Sequence, residues 1–369
     1  MDLTGKVAFV TGGMSGIGFA IAAALAQEGM HVAVGYRTSA HHDEAMAHFQ
    51  AHPQWSIHAV QLDVTDRESV RLAAAEAQRR FGKIHVLCNS AGVNLLGPMD
   101  QATPEDWDWI LSVNLHGVIN TLMSFIPLIK AHGEGGHVIN IGSMACFIVG
   151  ANSGVYAASK FAVRGLSESL RLTLGPHRIG VSLVCPGLTQ SHIYEAPLRR
   201  PAHLANTGFP TSAQTLTRLE NVHAFGMEAA EVARKTVDAM RNNRFYVFTH
   251  PEFRDEMRER AAEIDLAMPD DKPDPVRLEY EIKRRQAAAD ARRVANTLSW
   301  KAAAPRLDLR TAIVDAAFPV FCSQSITDIS LDSIARAAGV EVADIEACIG
   351  DKLALRDLIL RQLMTICCA

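Results

Sequence analysis

The chain has no large charge imbalance. Its 36 Lys+Arg meet 40 Asp+Glu, a formal net charge of -4. No global field is available to draw nucleic acid or an anionic membrane surface, so neither is an expected partner. An apolar run long enough to span a bilayer is also missing, because Pro127 interrupts the best stretch, Val118–Ile129. No basic leader followed by an apolar stretch opens the sequence, so no signal peptide is expected. The seven cysteines are an odd set that matches neither a disulfide framework nor a zinc site, and Cys367-Cys368 is no C-x-x-C. Internal repeats and low-complexity tracts are lacking too. These absences describe a soluble, reduced, cytoplasmic protein with no metal.

What is present is ample material for a core: 48% of the 369 residues are hydrophobic and 21% charged. A chain this long divides into roughly two domains. Short apolar runs recur at Val7–Thr11, Val32–Gly35, Ile57–Leu62, Val86–Asn89, His137–Ile141, Val181–Cys185 and Phe245–Phe248. They are continuous rather than alternating, as strands covered on both faces must be. Helix-length segments separate them: Gly16–Glu28, Ser69–Phe81, Pro104–Ile129, Val155–Leu174 and Ala229–Asn242. This alternation predicts an α/β fold, a doubly wound parallel sheet with helices on both faces. Gln190–Gly226, with Pro197, Pro201 and Pro210, breaks the rhythm and reads as an irregular lid or binding loop.

Thr11-Gly12-Gly13-Met14-Ser15-Gly16-Ile17-Gly18 follows the first strand and opens the first helix. Glycines there let the backbone approach a pyrophosphate, whose charge sits at the helix N-terminus. The second strand ends in Gly35-Tyr36-Arg37-Thr38. Tyr36 stands where an acid would hold the ribose diol of NAD, and an arginine accommodates a 2′-phosphate, so Arg37 favours NADP, with NAD possible. Further along, Ser143 follows a strand, while Tyr156 and Lys160 are spaced to share one face of a helix. A tyrosine works as a general acid/base near neutral pH if its pKa is lowered, and a lysine one turn away favours the phenolate. Ser143 can hold the substrate oxygen where charge changes. Asn114 lies inside the predicted helix Pro104–Ile129.

Taken together, these motifs resemble the short-chain dehydrogenase/reductase family over about residues 1–267. They comprise the glycine loop Thr11–Gly18, Asp63-Val64, Asn89-Ser90-Ala91-Gly92, Asn114, Ser143, Tyr156-Ala157-Ala158-Ser159-Lys160 and Pro186-Gly187-Leu188-Thr189. The resemblance implies a Rossmann-like fold and a homodimer or homotetramer. It implies a catalytic set of Asn114, Ser143, Tyr156 and Lys160. Tyr156 would transfer the proton, Ser143 orient the substrate oxygen, Lys160 bind the nicotinamide ribose, and Asn114 hold a relay water. The glycine loop would hold the pyrophosphate and Asp63 flank the adenine. Asn89–Gly92 would support the sheet and the cofactor, and Pro186–Thr189 pack on the nicotinamide. The stretch from Gly226-Met227 to Pro251 is similar to a subgroup, some of whose members oxidise benzylic alcohols of lignin-derived aryl ethers. His192, Tyr194 and Phe209 are candidates for contact with an aromatic substrate.

Composition shifts at Pro269–Pro275 (PDDKPDP). The expected division is a reductase domain at 1–268, a charged linker and helix at 269–304, and a small all-α domain at 305–369. Arg310–Phe321, Ser330–Ala338, Gly339-Val340 and Lys352–Leu360 resemble the helix-turn-helix region of TetR-type regulators. In such a region the second helix of the motif enters the major groove. The reading stretch here, Glu341–Ile349, has three acids and no base, and 305–369 carries six Lys/Arg against nine Asp/Glu. Duplex phosphate would repel that surface. The sequence therefore favours an NADP-preferring oxidoreductase that interconverts a small-molecule secondary alcohol and ketone. The alternative is a transcriptional regulator using the reductase fold as a nicotinamide or ligand sensor. A third reading is an assembly scaffold.

Overall fold

The computed structural model describes residues 2–39, 41–205 and 207–298, and farther on 313–314, 317, 330–338, 342–349 and 354–355. Among these, seven strands form one sheet: β1 Val7–Thr11, β2 His31–Tyr36, β3 Ser56–Gln61, β4 Val86–Asn89, β5 Gly136–Ile141, β6 Ile179–Cys185 and β7 Tyr246–Phe248. The order is β3-β2-β1-β4-β5-β6-β7, and every pairing is parallel. Every residue of β1, β4 and β6 is buried, which is why they read as unbroken apolar runs. Helices α1 Gly16–Gln27, α2 His42–Gln50, α3 Arg67–Phe81, α4 Pro104–Leu111, α5 Gly117–Ala131 and α6 Gly154–Leu174 follow the first five strands. One core layer joins Phe9, Leu87, Trp109, Phe125 and Val163; the other joins Ile21, Leu25, Val34, Val237 and Met240.

A polar row crosses the middle of the sheet. Thr121 Oγ1 donates to Asn89 Oδ1 at 2.7 Å, Asn89 Nδ2 to Asn140 Oδ1 at 2.9 Å, and Asn140 Nδ2 to Ser167 Oγ at 2.9 Å. All four residues are buried, and the row links α5, β4, β5 and α6 through satisfied bonds.

Three expectations need correction. Pro127 does not interrupt its helix: α5 runs through it, with Phe125 and Ile129 fully buried on either side. Packing of that apolar face outweighs the lost main-chain bond. The stretch Pro104–Ala131 is thus long and apolar enough to cross a bilayer by composition, but 56% of its most apolar part is buried in the fold. The lid is not wholly irregular, since it contains α7 Ala213–Ala224 after the 3₁₀ turns His192–Arg199 and Ala202–Leu204. No residue of α7 is buried, so it shows no core-facing periodicity. Asn114 sits in a π-helical turn, Ser112–His116, between α4 and α5, and not in a regular helix.

Beyond β6 come α8 Ala229–Arg241, α9 Arg254–Leu266 and α10 Pro275–Thr297. The chain divides into two compact units: Met1–Asp270 with Arg292–Trp300, and Asp271–Ala291 with Lys301–Ala369. Within the first, Ala295 is buried and its carbonyl accepts from Asn243 Nδ2 at 2.9 Å. Within the second, helices Leu331–Ala338 and Val342–Cys348 contribute Ile334, Ala335 and Ile345 to a small core with Ile313, Val314, Ala317 and Leu355. The rest of the expected helix Arg310–Phe321, Gly339-Val340, Glu341, and all of Lys352–Leu360 but 354–355 lie outside the described residues.

At the N-terminal end of the sheet, His85 Nδ1 accepts the Val7 N–H at 3.1 Å and Nε2 donates to Glu134 Oε2 at 3.0 Å. His132 likewise lies 3.2 Å from the Glu134 N–H through Nδ1 and 2.8 Å from the Ile84 carbonyl through Nε2. Both lone pairs are in use, so the grouping of His85, His132 and Glu134 offers an ion no imidazole. Burial holds His85 below its ordinary value of 6.5 and takes fully buried His137 down to about 3. In the unfolded chain both imidazoles take a proton near 6.5; in the fold they resist it. Stability present above pH 6.5 is therefore lost as the pH falls. His137 alone should account for about 2 kcal/mol at pH 5. Urea unfolding at pH 7.5 and 5.0 measures this, and equal or greater stability at pH 5.0 would refute it.

Candidate active site

A cleft of about 520 Å³ opens at the C-terminal ends of the strands. Strand order reverses between β1 and β4, so the connections leave in opposite directions and part the surface there. The cleft is lined by Gly12, Ser15, Gly16, Ile17, Gly18, Tyr36, Arg37, Asp63, Val64, Ala91, Gly92, Ser143, Tyr156, Lys160, Pro186, Gly187, Leu188 and Thr189. Three sequence candidates stand behind it instead. Thr11 Oγ1 accepts the Ser90 and Ala91 N–H groups, both at 3.0 Å. Asn89 belongs to the polar row. Asn114 grips Val93, accepting its N–H at 2.8 Å and donating to its carbonyl at 2.9 Å, and it reaches Ser159 Oγ at 3.1 Å.

The glycine loop is shaped for close backbone approach. Gly12 has φ +62°, and a Cβ there would lie 2.9 Å from Ala91 Cα; a Cβ on Gly18 would lie 2.4 Å from the Gly12 carbonyl oxygen. Ser15 precedes α1 without capping it by its side chain, and the first turn carries no acid. The main-chain N–H groups of that turn are left for an anion. At the far end, Tyr36 packs against His42 at 4.8 Å between ring centroids, and Arg37 donates to the Arg199 carbonyl at 2.9 Å. Asp63 Oδ1 accepts the Thr65 N–H at 2.9 Å, which shapes the turn at the cleft wall.

The chemistry-bearing side chains meet on the opposite wall. Ser143, just past β5, lines the same wall as Tyr156. Lys160 Nζ lies 5.6 Å from the Tyr156 ring centroid and donates to the Ile141 carbonyl at 2.9 Å. The expected lowering of the tyrosine pKa is not what this geometry produces. Burial pushes Tyr156 above its ordinary 10 and also pulls Lys160 down. Lys160 uses one of its three N–H donors on the Ile141 carbonyl.

Sequence reasoning missed the lid's share of the wall. Ile193, Ala196 and Arg199 line the cleft, as do Asn94, Ile148 and Phe253. Of the aromatic candidates, His192 lines it; Tyr194 packs on His223 at 5.5 Å, and Phe209 lies against Gly97. Only the proline-rich interruption signalled a lid, and it could not say which residues turn inward.

The doubly wound sheet thus brings a glycine loop and a Ser-Tyr-Lys group to one switch-point cleft. The short chain dehydrogenase pattern matches residues 6–199, and the chain belongs to that family. It is 35% identical over 255 residues to the C alpha-dehydrogenase of Sphingobium sp. strain SYK-6, spanning 69% of this chain and 83% of that protein. A short chain dehydrogenase/reductase from Burkholderia phymatum in complex with NAD superposes with a TM-score of 0.69 at 32% identity, covering 74% of this chain and 99% of that one. One from Burkholderia cenocepacia J2315 in complex with NADP gives 0.55 at 30%, covering 67% and 97%. These relatives support a nicotinamide cofactor.

Proposed function

We propose that the chain is an NADP-preferring oxidoreductase that interconverts a secondary alcohol and a ketone, with an aromatic compound as substrate. The convergence of Ser143, Tyr156 and Lys160 on one cleft that the glycine loop also lines carries this reading. The glycine cradle fits a dinucleotide: a Cβ at Gly12 or Gly18 would meet the Ala91 backbone or the Gly12 carbonyl, so only glycines allow the tight loop that presents main-chain N–H groups to its phosphates. Thr11, Gly12, Ser15, Gly16, Ile17 and Gly18 would hold it there with Asp63, Val64, Asn89, Ala91 and Gly92. Pro186–Thr189, Tyr156 and Lys160 would hold its nicotinamide end. Once bound, the nicotinamide gives or takes the hydride. Ser143 Oγ and the Tyr156 hydroxyl grip the substrate oxygen between them. Tyr156 passes its proton to that oxygen in ketone reduction and recovers one in alcohol oxidation. Lys160 keeps the recovery path cationic, and Asn114, behind the cleft, fixes the Val93 turn beside it.

An aromatic substrate is supported by the C alpha-dehydrogenase relative and by Ile148, Ile193 and Phe253 in the wall. We propose a homodimer or homotetramer as the working assembly. The C-terminal segment, which brings no cation to its reading stretch, is assigned to packing and not to DNA.

Following NADPH and NADH oxidation over a panel of aryl and alkyl ketones tests the activity. For cofactor choice, Arg37→Ala should raise the NADPH Michaelis constant by about 10- to 100-fold, the worth of one charge-assisted phosphate contact, and leave that for NADH nearly unchanged. Equal effects on both, or a preference of the unaltered chain for NADH, would overturn the NADP assignment.

A further inference from the structure

Arg199 and Arg200 are neighbours at the end of the lid's first turn, yet they serve different places. Arg199 turns toward the cleft mouth, where it pairs with Glu195 and meets His41 Nε2 at 2.7 Å. These groups keep a fifth to a third of their side-chain surface exposed. Arg200 turns inward to Asp106, with side chains only 5% and 0% exposed.

Asp106 is the third residue of α4 and closes its capping box. Its Oδ2 accepts the Thr103 N–H at 3.1 Å and lies 3.3 Å from Thr103 Oγ1. Its Oδ1 accepts Arg200 Nη1 at 2.8 Å and the Phe209 N–H at 3.3 Å. Both oxygens are thereby saturated. Arg200 also donates to Thr207 Oγ1 at 3.3 Å and lies over the Trp109 ring at 5.1 Å. The lid chain can come this close only because Gly208, at φ +70°, has no Cβ; one there would stand 1.9 Å from Asp106 Oδ1.

A buried ion pair is a poor device for stability alone, because desolvation offsets most of the attraction. What it does well is fix one arrangement, and here it fixes both ends of the lid turn 200–209 to α4. The stretch 192–199 ahead of it brings Ile193 and Ala196 into the cleft; its polar ties, through Arg199, Glu195, His192 and Arg37, are all partly exposed, while Ala196 is buried in the core and Tyr194 packs on His223.

We infer that Asp106 and Arg200 are positioning residues for the substrate half of the cleft: they set where Ile193 and Ala196 stand, and leave the nucleotide half untouched. The inference rests on the reading that the cleft turns over an alcohol or ketone.

The test uses the full chain and its Asp106→Asn, Arg200→Gln and Arg200→Lys variants. Proteinase K cleavage, mapped by mass spectrometry with NADPH bound, reports the lid. Cuts within 200–226 should come at least about tenfold faster in Asp106→Asn and Arg200→Gln, with global melting moved by less than about 3 °C. Arg200→Lys, which keeps the charge, should restore much of the protection. With acetophenone as the probe ketone, KM should rise about tenfold or more, while kcat and the NADPH Kd stay within about threefold. Unchanged lid cleavage would overturn the inference. So would a parallel loss of nucleotide affinity and global stability, which would make the pair a general prop. If the unaltered chain turns over no ketone while lid cleavage still accelerates, the functional reading fails and the anchor stands.

Discussion

Tyr156→Phe is expected to cut kcat/KM for ketone reduction by roughly a thousandfold, about 4 kcal/mol in the barrier, without weakening nucleotide binding. The substitution removes one oxygen and keeps the ring. The Lys160 bond to the Ile141 carbonyl does not involve that oxygen, so the lysine stays in place. Ser143 Oγ accepts the Ala145 N–H at 3.1 Å, so its side chain is still held. Only the proton donor goes. Steady-state rates on a reactive aryl ketone, together with a fluorescence titration of NADPH, separate the two quantities. Turnover within about threefold of the unaltered enzyme would dismiss Tyr156 as the acid. A large loss of affinity would mean that the ring had moved.

The second large effect belongs to the glycine loop. Gly12→Val puts a branched side chain on a residue at φ +62° whose Cβ would meet Ala91 Cα at 2.9 Å. An L-residue resists that conformation, and Ala91 cannot retreat easily because Thr11 Oγ1 holds its N–H. The loop must shift away from the β4 turn, and its N–H groups shift with it. The Kd for NADPH and for NADH should each rise by about a hundredfold or more, about 2.7 kcal/mol. Melting should fall by several degrees and the circular dichroism spectrum should stay that of an α/β protein. Unchanged affinity for both nucleotides would mean that their phosphates bind elsewhere.

Both predictions start from residues that announce themselves in the sequence. A glycine cluster between a buried strand and a helix has few purposes, and the four-residue step from Tyr156 to Lys160 needs only helical geometry to be seen. The central strands were legible for a related reason: β1, β4 and β6 are covered on both faces, so composition alone marks them. What stayed hidden depends on partners far off in the chain. Asp106 closes a local capping box with Thr103, yet nothing local says that its other oxygen binds Arg200, 94 residues later. Lys160 reads as a neighbour of Tyr156, whereas its ammonium goes to Ile141, on the strand that ends before Ser143. Helix α7 buries nothing, so no periodicity could betray it. Pro127 misled only about the apolar run: the helix expected over Pro104–Ile129 does pass through it, and the stretch is long and apolar enough to cross a bilayer by composition while most of it is buried.

The row from Thr121 through Asn89 and Asn140 to Ser167 gives the molecule a ruler. Apolar layers are forgiving: leucine and isoleucine faces can slide by a fraction of an ångström at little expense, and a core can change volume and stay a core. Hydrogen bonds between amides and hydroxyls are not forgiving, since distance and angle both count. Asn89 begins the turn that supports the cofactor loop, and Ser167 lies on the same helix as Tyr156 and Lys160. The spacing between the β4 turn beside the glycine loop and the helix that carries Tyr156 is therefore gauged by four polar side chains and not by the hydrophobic filling around them. The filling is free to vary, and the active site keeps its measure.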